Sequence, residues 1–121
     1  MKGTTLNWML VLGYAALIFF LSAQSTLPLP KEITYHDKFM HSLGYLGFGF
    51  LLIRALKGSF PSFSFSKLLW LTVLLCALYG ISDELHQSFI PGRDASGYDV
   101  LADGIGGYLG VIVWRIRCLL K

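Results

Sequence analysis

Four long apolar stretches constrain this chain more than anything else in it. They run from about Leu6 to Ala23, Phe39 to Leu56, Leu68 to Phe89 and Val100 to Leu119. Each approaches the ~20 residues that a helix rising ~1.5 Å per residue needs to cross the hydrocarbon of a bilayer. Strands fit poorly, because the stretches are too continuous and a small membrane barrel would need more of them. The segments between them, Gln24 to Asp37, Lys57 to Lys67 and Ile90 to Asp99, hold the prolines and most turn residues and read as connections. At 121 residues the chain is one domain's worth of material. With 55% of residues hydrophobic and 14% charged, it cannot supply the polar coat that a soluble domain of this size needs. A bilayer removes that need by solvating apolar surface. The expected fold is therefore all-α: one domain over residues 1–121, a four-helix bundle passing several times through the cytoplasmic (inner) membrane.

The first stretch competes with a signal peptide, since Lys2 precedes an apolar run that ends in Ser22-Ala23-Gln24. The bulky Leu21 near that junction favours an anchor. Lysine and arginine placement gives orientation. Lys2, Arg54, Lys57, Lys67, Arg115, Arg117 and Lys121 flank the two termini and the second connection, which places all three in the cytoplasm. Trp8, Trp70 and Trp114 then fall on the cytoplasmic side, where they suit an interfacial belt. Cys76 and Cys118 lie in apolar runs at different depths and are expected to pack rather than to form a disulfide. The net charge of +3 does not point to nucleic acid.

Under this topology the polar side chains collect at the outer face. Asp37, Lys38 and His41 open the second stretch; Ser82, Asp83, Glu84, His86 and Gln87 close the third; Arg93 follows, and Asp99 and Asp103 open the fourth. Ionisable groups within spans are costly, so they pair with one another or serve a function. Asp37, His41 and Tyr45 recur every fourth residue and share a helix face, as do Asp99, Asp103 and Gly107. Beside the latter, Ala102, Gly106 and Gly110 form a small-residue stripe suited to close helix contact, a role that Gly44 and Gly47 are expected to share. Pro91-Gly92-Arg93 has the order of a tight turn. It projects Arg93 either as a clasp onto Asp99 or Glu84, or as an anion clamp.

The ordered set Asp37-Lys38-x-x-His41, then Ser82-Asp83-Glu84-x-His86-Gln87-x-Phe89-x-Pro91-Gly92-Arg93, then Asp99-Val100-x-x-Asp103-x-x-Gly106, resembles the VanZ-like family. The resemblance covers nearly the whole chain beyond the first stretch. It implies a small multi-span bacterial membrane protein of a family whose named member is associated with low-level resistance to the glycopeptide teicoplanin. Members often carry Asn where this chain has Asp103, which departs from any fixed proton-transfer scheme at that position.

Three functional readings follow. In the first, an envelope protein uses the outer polar site to engage a lipid-linked or cell-wall precursor, or modulates glycopeptide susceptibility. Asp37, Lys38, Asp83, His86, Gln87, Arg93 and Asp103 then bind the substrate. In the second, a membrane-embedded enzyme acts on a phospholipid or lipid-phosphate headgroup, with His41, Glu84 and Asp99 as its acid–base candidates. A variant of this reading has His41, Glu84 and Asp99 hold a divalent metal, for which their donor types are suited; because no dense motif such as two histidines four apart occurs, the expectation is no cofactor, with a divalent metal as the minor alternative. A small proton-coupled transporter is the third reading, disfavoured because no internal repeat or broken helix is visible. Membrane lipids are the expected partners. Any one of these residues could simply belong to a network fixing helix register. Register needs about two or three such partners, and the surplus points to function.

Overall fold

The computed structural model of the chain describes residues 2–23, 34–90 and 97–121, for 34–40 the helical backbone alone. Four helices account for nearly all of it: α1 (Lys2–Ser22), α2 (Thr34–Ser59), α3 (Phe65–Gln87) and α4 (Gly97–Leu119). No strand occurs among the described residues. Each helix contains or overlaps one of the apolar stretches and runs a few residues past it at one end or both. The short α2–α3 connection is fixed locally. Ser64 caps α3 by accepting a bond from the Lys67 amide at 3.3 Å, and Lys57 Nζ donates to the Pro61 carbonyl at 2.9 Å.

Side-chain contacts give the helix directions. Trp8 near the start of α1 donates to Ser59 Oγ at the end of α2 (2.8 Å), and Tyr14 Oη donates to the Gly44 carbonyl (2.7 Å), so α1 and α2 are antiparallel. Tyr79 Oη on α3 donates to the Ala15 carbonyl of α1 (2.5 Å). These bonds build α1 into the bundle. The most extensive interface joins α2 and α4, which run parallel; α3 packs on α4, and α1 packs mainly on α2. This bundle is not square. One diagonal pair is pressed together at its centre, and among the described residues α1 and α4 do not meet.

Glycine explains that diagonal. A methyl group on Gly106 would collide with the Ser42 carbonyl, one on Gly110 with the Leu46 carbonyl, and one on Gly49 with the backbone of Gly107. Backbones this close leave no room for side chains, and dispersion between them holds the pair. The expected small-residue stripe of α4 is thus a contact seam, but its partner on α2 differs from expectation. Gly49 takes part in it. Gly44 does not, since a methyl there would meet nothing, and Gly47 faces the Tyr14 hydroxyl instead. A four-residue repeat identifies a helix face but not which neighbour that face meets.

Burial is inverted relative to a water-soluble domain. Asp83, Glu84, Gln87, Asp99 and Asp103 are buried, whereas Leu12, Phe20, Leu74, Leu85, Leu101 and Ile105 are among many large apolar side chains that face outward. α1 and α3 are long and apolar enough to cross a membrane. α4 does not meet that composition, because it carries the glycines of the seam together with Asp99, Asp103, Arg115 and Arg117. The core beneath is aromatic and aliphatic: Tyr45, Phe48, Leu52, Ile53, Leu56, Leu68, Cys76 and Val111 are all buried. Cys118 is exposed rather than packed, because it lies on the last turn of α4 beyond the neighbouring helices. Trp8 and Trp114 are partly buried against the core, and Trp70 faces outward.

Candidate functional site

The helix directions bring together the C-terminal ends of α1 and α3 and the N-terminal ends of α2 and α4. Polar residues converge there. His41 stands two turns into α2, Glu84 in the last turn of α3 and Asp99 in the first turn of α4. One donor atom from each of these three lies within 4.8 Å of the others. They are the three residues singled out as acid–base candidates in the sequence, and the fold gathers them from three different helices.

Asp103, one turn below Asp99 on α4, fixes the imidazole. His41 Nδ1 is 3.1 Å from Asp103 Oδ1, and the Asp103 side chain is fully buried, while that of His41 is 13% exposed. An imidazole that donates through Nδ1 to a carboxylate presents Nε2 as a base, a nucleophile or a ligand. The other carboxylate oxygen of Asp103 rests against Gly80 of α3, where an added methyl would lie 2.7 Å from it. Gly80 is therefore the residue that makes room for Asp103, and its only sequence signal is a small residue one turn before Asp83 and Glu84.

Four carboxylates are buried at this end: Asp83 at 3% exposure, Glu84 at 7%, Asp99 at 5% and Asp103 at 0%. Asp83 and Asp99 both lie within electrostatic range of Asp103. Asp99 benefits from the positive pole of α4, whereas Glu84 sits at the negative pole of α3, where a carboxylate is disfavoured. The floor is Tyr45, four residues below His41. Its ring packs edge-on against Phe48 at 5.8 Å and tilted against Tyr79 at 6.3 Å. The Tyr45 hydroxyl is buried without a hydrogen-bond partner among the described residues.

The remaining expected site residues divide. Asp83 and Gln87 are buried on the inner side of α3. His86 turns to α1, where its ring stacks on Phe19 with centroids 4.3 Å apart. Ser82 is exposed and bonds back to the Tyr79 carbonyl at 2.7 Å. The side chains of Asp37 and Lys38, and all of Arg93, lie outside the described residues.

Residues 5–119, nearly the whole chain, match the VanZ/LLP1 family. The chain belongs to that family. No curated protein and no solved structure matches it. From the blocks that carried the resemblance in this VanZ/LLP1 chain, His41, Asp83, Glu84, Gln87, Asp99 and Asp103 are gathered at this end of the bundle, and this polar cluster is referred to below as the cup.

Charge divides along the bundle. All seven acidic residues of the chain lie in the helix ends that form the cup or in the segments joining them, with three of the ten basic residues. The other seven basic residues belong to the opposite end.

Proposed function

We propose that the chain is a four-span protein of the cytoplasmic membrane whose outward cup performs acid–base chemistry on the phosphate headgroup of a membrane lipid or lipid-linked precursor. The observation that carries this reading is the His41–Asp103 dyad with Glu84 and Asp99 in reach of the imidazole. A site that merely bound a headgroup would not need a buried carboxylate dedicated to orienting one imidazole. Hydrolysis would balance as follows. His41 Nε2 takes a proton from water while the water oxygen attacks phosphorus. The phosphoester bond breaks toward the leaving alcohol, and the proton passes to that alcohol's oxygen. Asp103 stabilises the imidazolium between those transfers.

The membrane placement is supported by the inverted burial, since apolar outer faces and buried polar groups suit a lipid solvent. Seven cationic side chains at the end that holds both termini support placing that end in the cytoplasm. α4 is less apolar than α1 and α3, but its glycine seam is turned toward α2 and its carboxylates Asp99 and Asp103 are buried.

Mass spectrometry of lipid extracts tests the chemistry. Expression of the wild-type chain should create or deplete a headgroup species, and His41→Ala or Glu84→Gln should abolish the change while the protein still accumulates in membranes. Family membership favours one other reading, a binder that shields a cell-wall precursor. Unchanged lipids together with altered teicoplanin sensitivity would replace the enzymatic reading with that one.

A further inference from the structure

We propose that His41, Glu84 and Asp99 hold a divalent first-row transition-metal ion, with Asp103 orienting the histidine as its hydrogen-bonded support. This deepens the enzymatic reading above and rests on the same cup, with one change of role: Nε2 of His41 would then ligate the ion instead of taking the proton from water, and water bound to the ion would give that proton up to solvent. Ion binding can be measured without turnover.

Donor chemistry comes first. One imidazole and two carboxylates are a nitrogen–oxygen set suited to Mn²⁺, Fe²⁺ or Zn²⁺, and three protein ligands leave positions open for water or substrate. Their donor atoms lie within 4.8 Å of one another. Ligands about 2.1 Å from a metal stand roughly 3.0–3.4 Å apart, so the ion draws the widest pair inward by about 1.5 Å, within reach of a side-chain adjustment at Glu84. The support is already formed. A metal-bound histidine almost always gives its other ring nitrogen to a carboxylate or carbonyl, which fixes the tautomer. His41 Nδ1 and Asp103 Oδ1 make that contact at 3.1 Å.

A second observation points to something bound in the cup. Tyr45 is only 2% exposed, and its buried hydroxyl has no hydrogen-bond partner among the described residues and lies within electrostatic range of Asp103 and Asp83. A buried, unpartnered phenol one helical turn along α2 from His41 suits a water bound to the ion. Electrostatics add a third argument. This end of the chain has seven acidic residues to three basic ones, and Glu84 sits at the negative pole of α3. An anionic phosphate would be repelled by such a cup. A divalent ion reverses that, neutralising two carboxylates and presenting a Lewis acid to a phosphate oxygen.

The experiment uses the full chain in detergent, stripped with EDTA and titrated with Mn²⁺ under electron paramagnetic resonance. The wild type should bind one Mn²⁺ per chain, show nitrogen hyperfine coupling from one imidazole, and release the ion to Zn²⁺. His41→Gln should lose the nitrogen coupling. Glu84→Gln/Asp99→Asn should weaken binding at least about 100-fold, and Asp103→Asn about 10- to 100-fold. Circular dichroism identifies which variants are folded, and His41→Gln alone suffices if the double variant is not. The proposal is overturned if the wild type binds Mn²⁺ and Zn²⁺ no better than a folded variant, or if bound Mn²⁺ shows no nitrogen coupling. Lipid conversion that persists in metal-free protein would also overturn it while leaving the enzymatic reading intact. A bound ion without any lipid change would do the reverse.

Discussion

The glycine seam between α2 and α4 makes a paired prediction whose two halves differ in sign. A methyl at Gly110 would overlap the Leu46 carbonyl oxygen and lie 2.7 Å from the Phe50 amide nitrogen and 3.1 Å from the Leu46 carbonyl carbon. All three are backbone atoms, so no rotamer change relieves the clash. Restoring ordinary contact requires α2 and α4 to separate by roughly 1 Å, and overpacking of this kind costs about 1–3 kcal/mol. At Gly44 the same methyl meets nothing within 4 Å. Gly44→Ala therefore gains helix propensity, up to ~1 kcal/mol, without a packing cost. Unfolding of the two variants in detergent should show Gly110→Ala below wild type and Gly44→Ala at or above it. The site should report the same difference. His41 and Asp103 belong to the separating helices, and their 3.1 Å contact is lost as a hydrogen bond once it passes about 3.5 Å. Lipid conversion should fall with Gly110→Ala and hold with Gly44→Ala. Equal stability of the two variants, or Gly110→Ala the more stable, would refute the close-packed seam.

Two further outcomes follow from named contacts. Gly80→Ala places a methyl 2.7 Å from Asp103 Oδ2 and 3.1 Å from its Cβ, so the carboxylate must shift; conversion should drop at least about tenfold while helical content by circular dichroism is retained. Single cysteines introduced at Ser59 and Ser96, in a chain with Cys76 and Cys118 replaced by serine, should differ toward an impermeant thiol reagent on intact cells. Ser96→Cys should label and Ser59→Cys should not, and the opposite pattern would invert the topology.

The sequence made the helices and the cup legible to different degrees. Helix positions followed from apolar runs, because a helix that faces lipid must be apolar along its length. α4 shows the limit of that signal. Asp99, Asp103, Gly106, Gly107 and Gly110 lower its apparent apolarity, and the fold buries all five. The triad of His41, Glu84 and Asp99 was legible because each ends or opens an apolar stretch. Their separation in sequence says nothing about distance, so only the packing of α3 and α4 shows that they meet. Four-residue spacing correctly joined Asp99 to Asp103, but could not reveal that Asp103 serves His41. Gly80 and Gly49 went unread because a glycine's importance lies in the opposing atom. His86 was grouped with the cup by proximity in sequence, yet helical rotation carries it round to Phe19. The exposure of Cys118 has the same cause: an apolar neighbourhood in sequence is not a packed one at a helix end.

Below the imidazole the bundle is plugged. Tyr45, Phe48, Ile53, Cys76 and Val111 fill its middle with side chains no more than 5% exposed. Those side chains leave no path through the bundle among the described residues. On the proposed headgroup chemistry, a lipid handled above them would return to the monolayer that delivered it, and any proton released would be shed on that side alone.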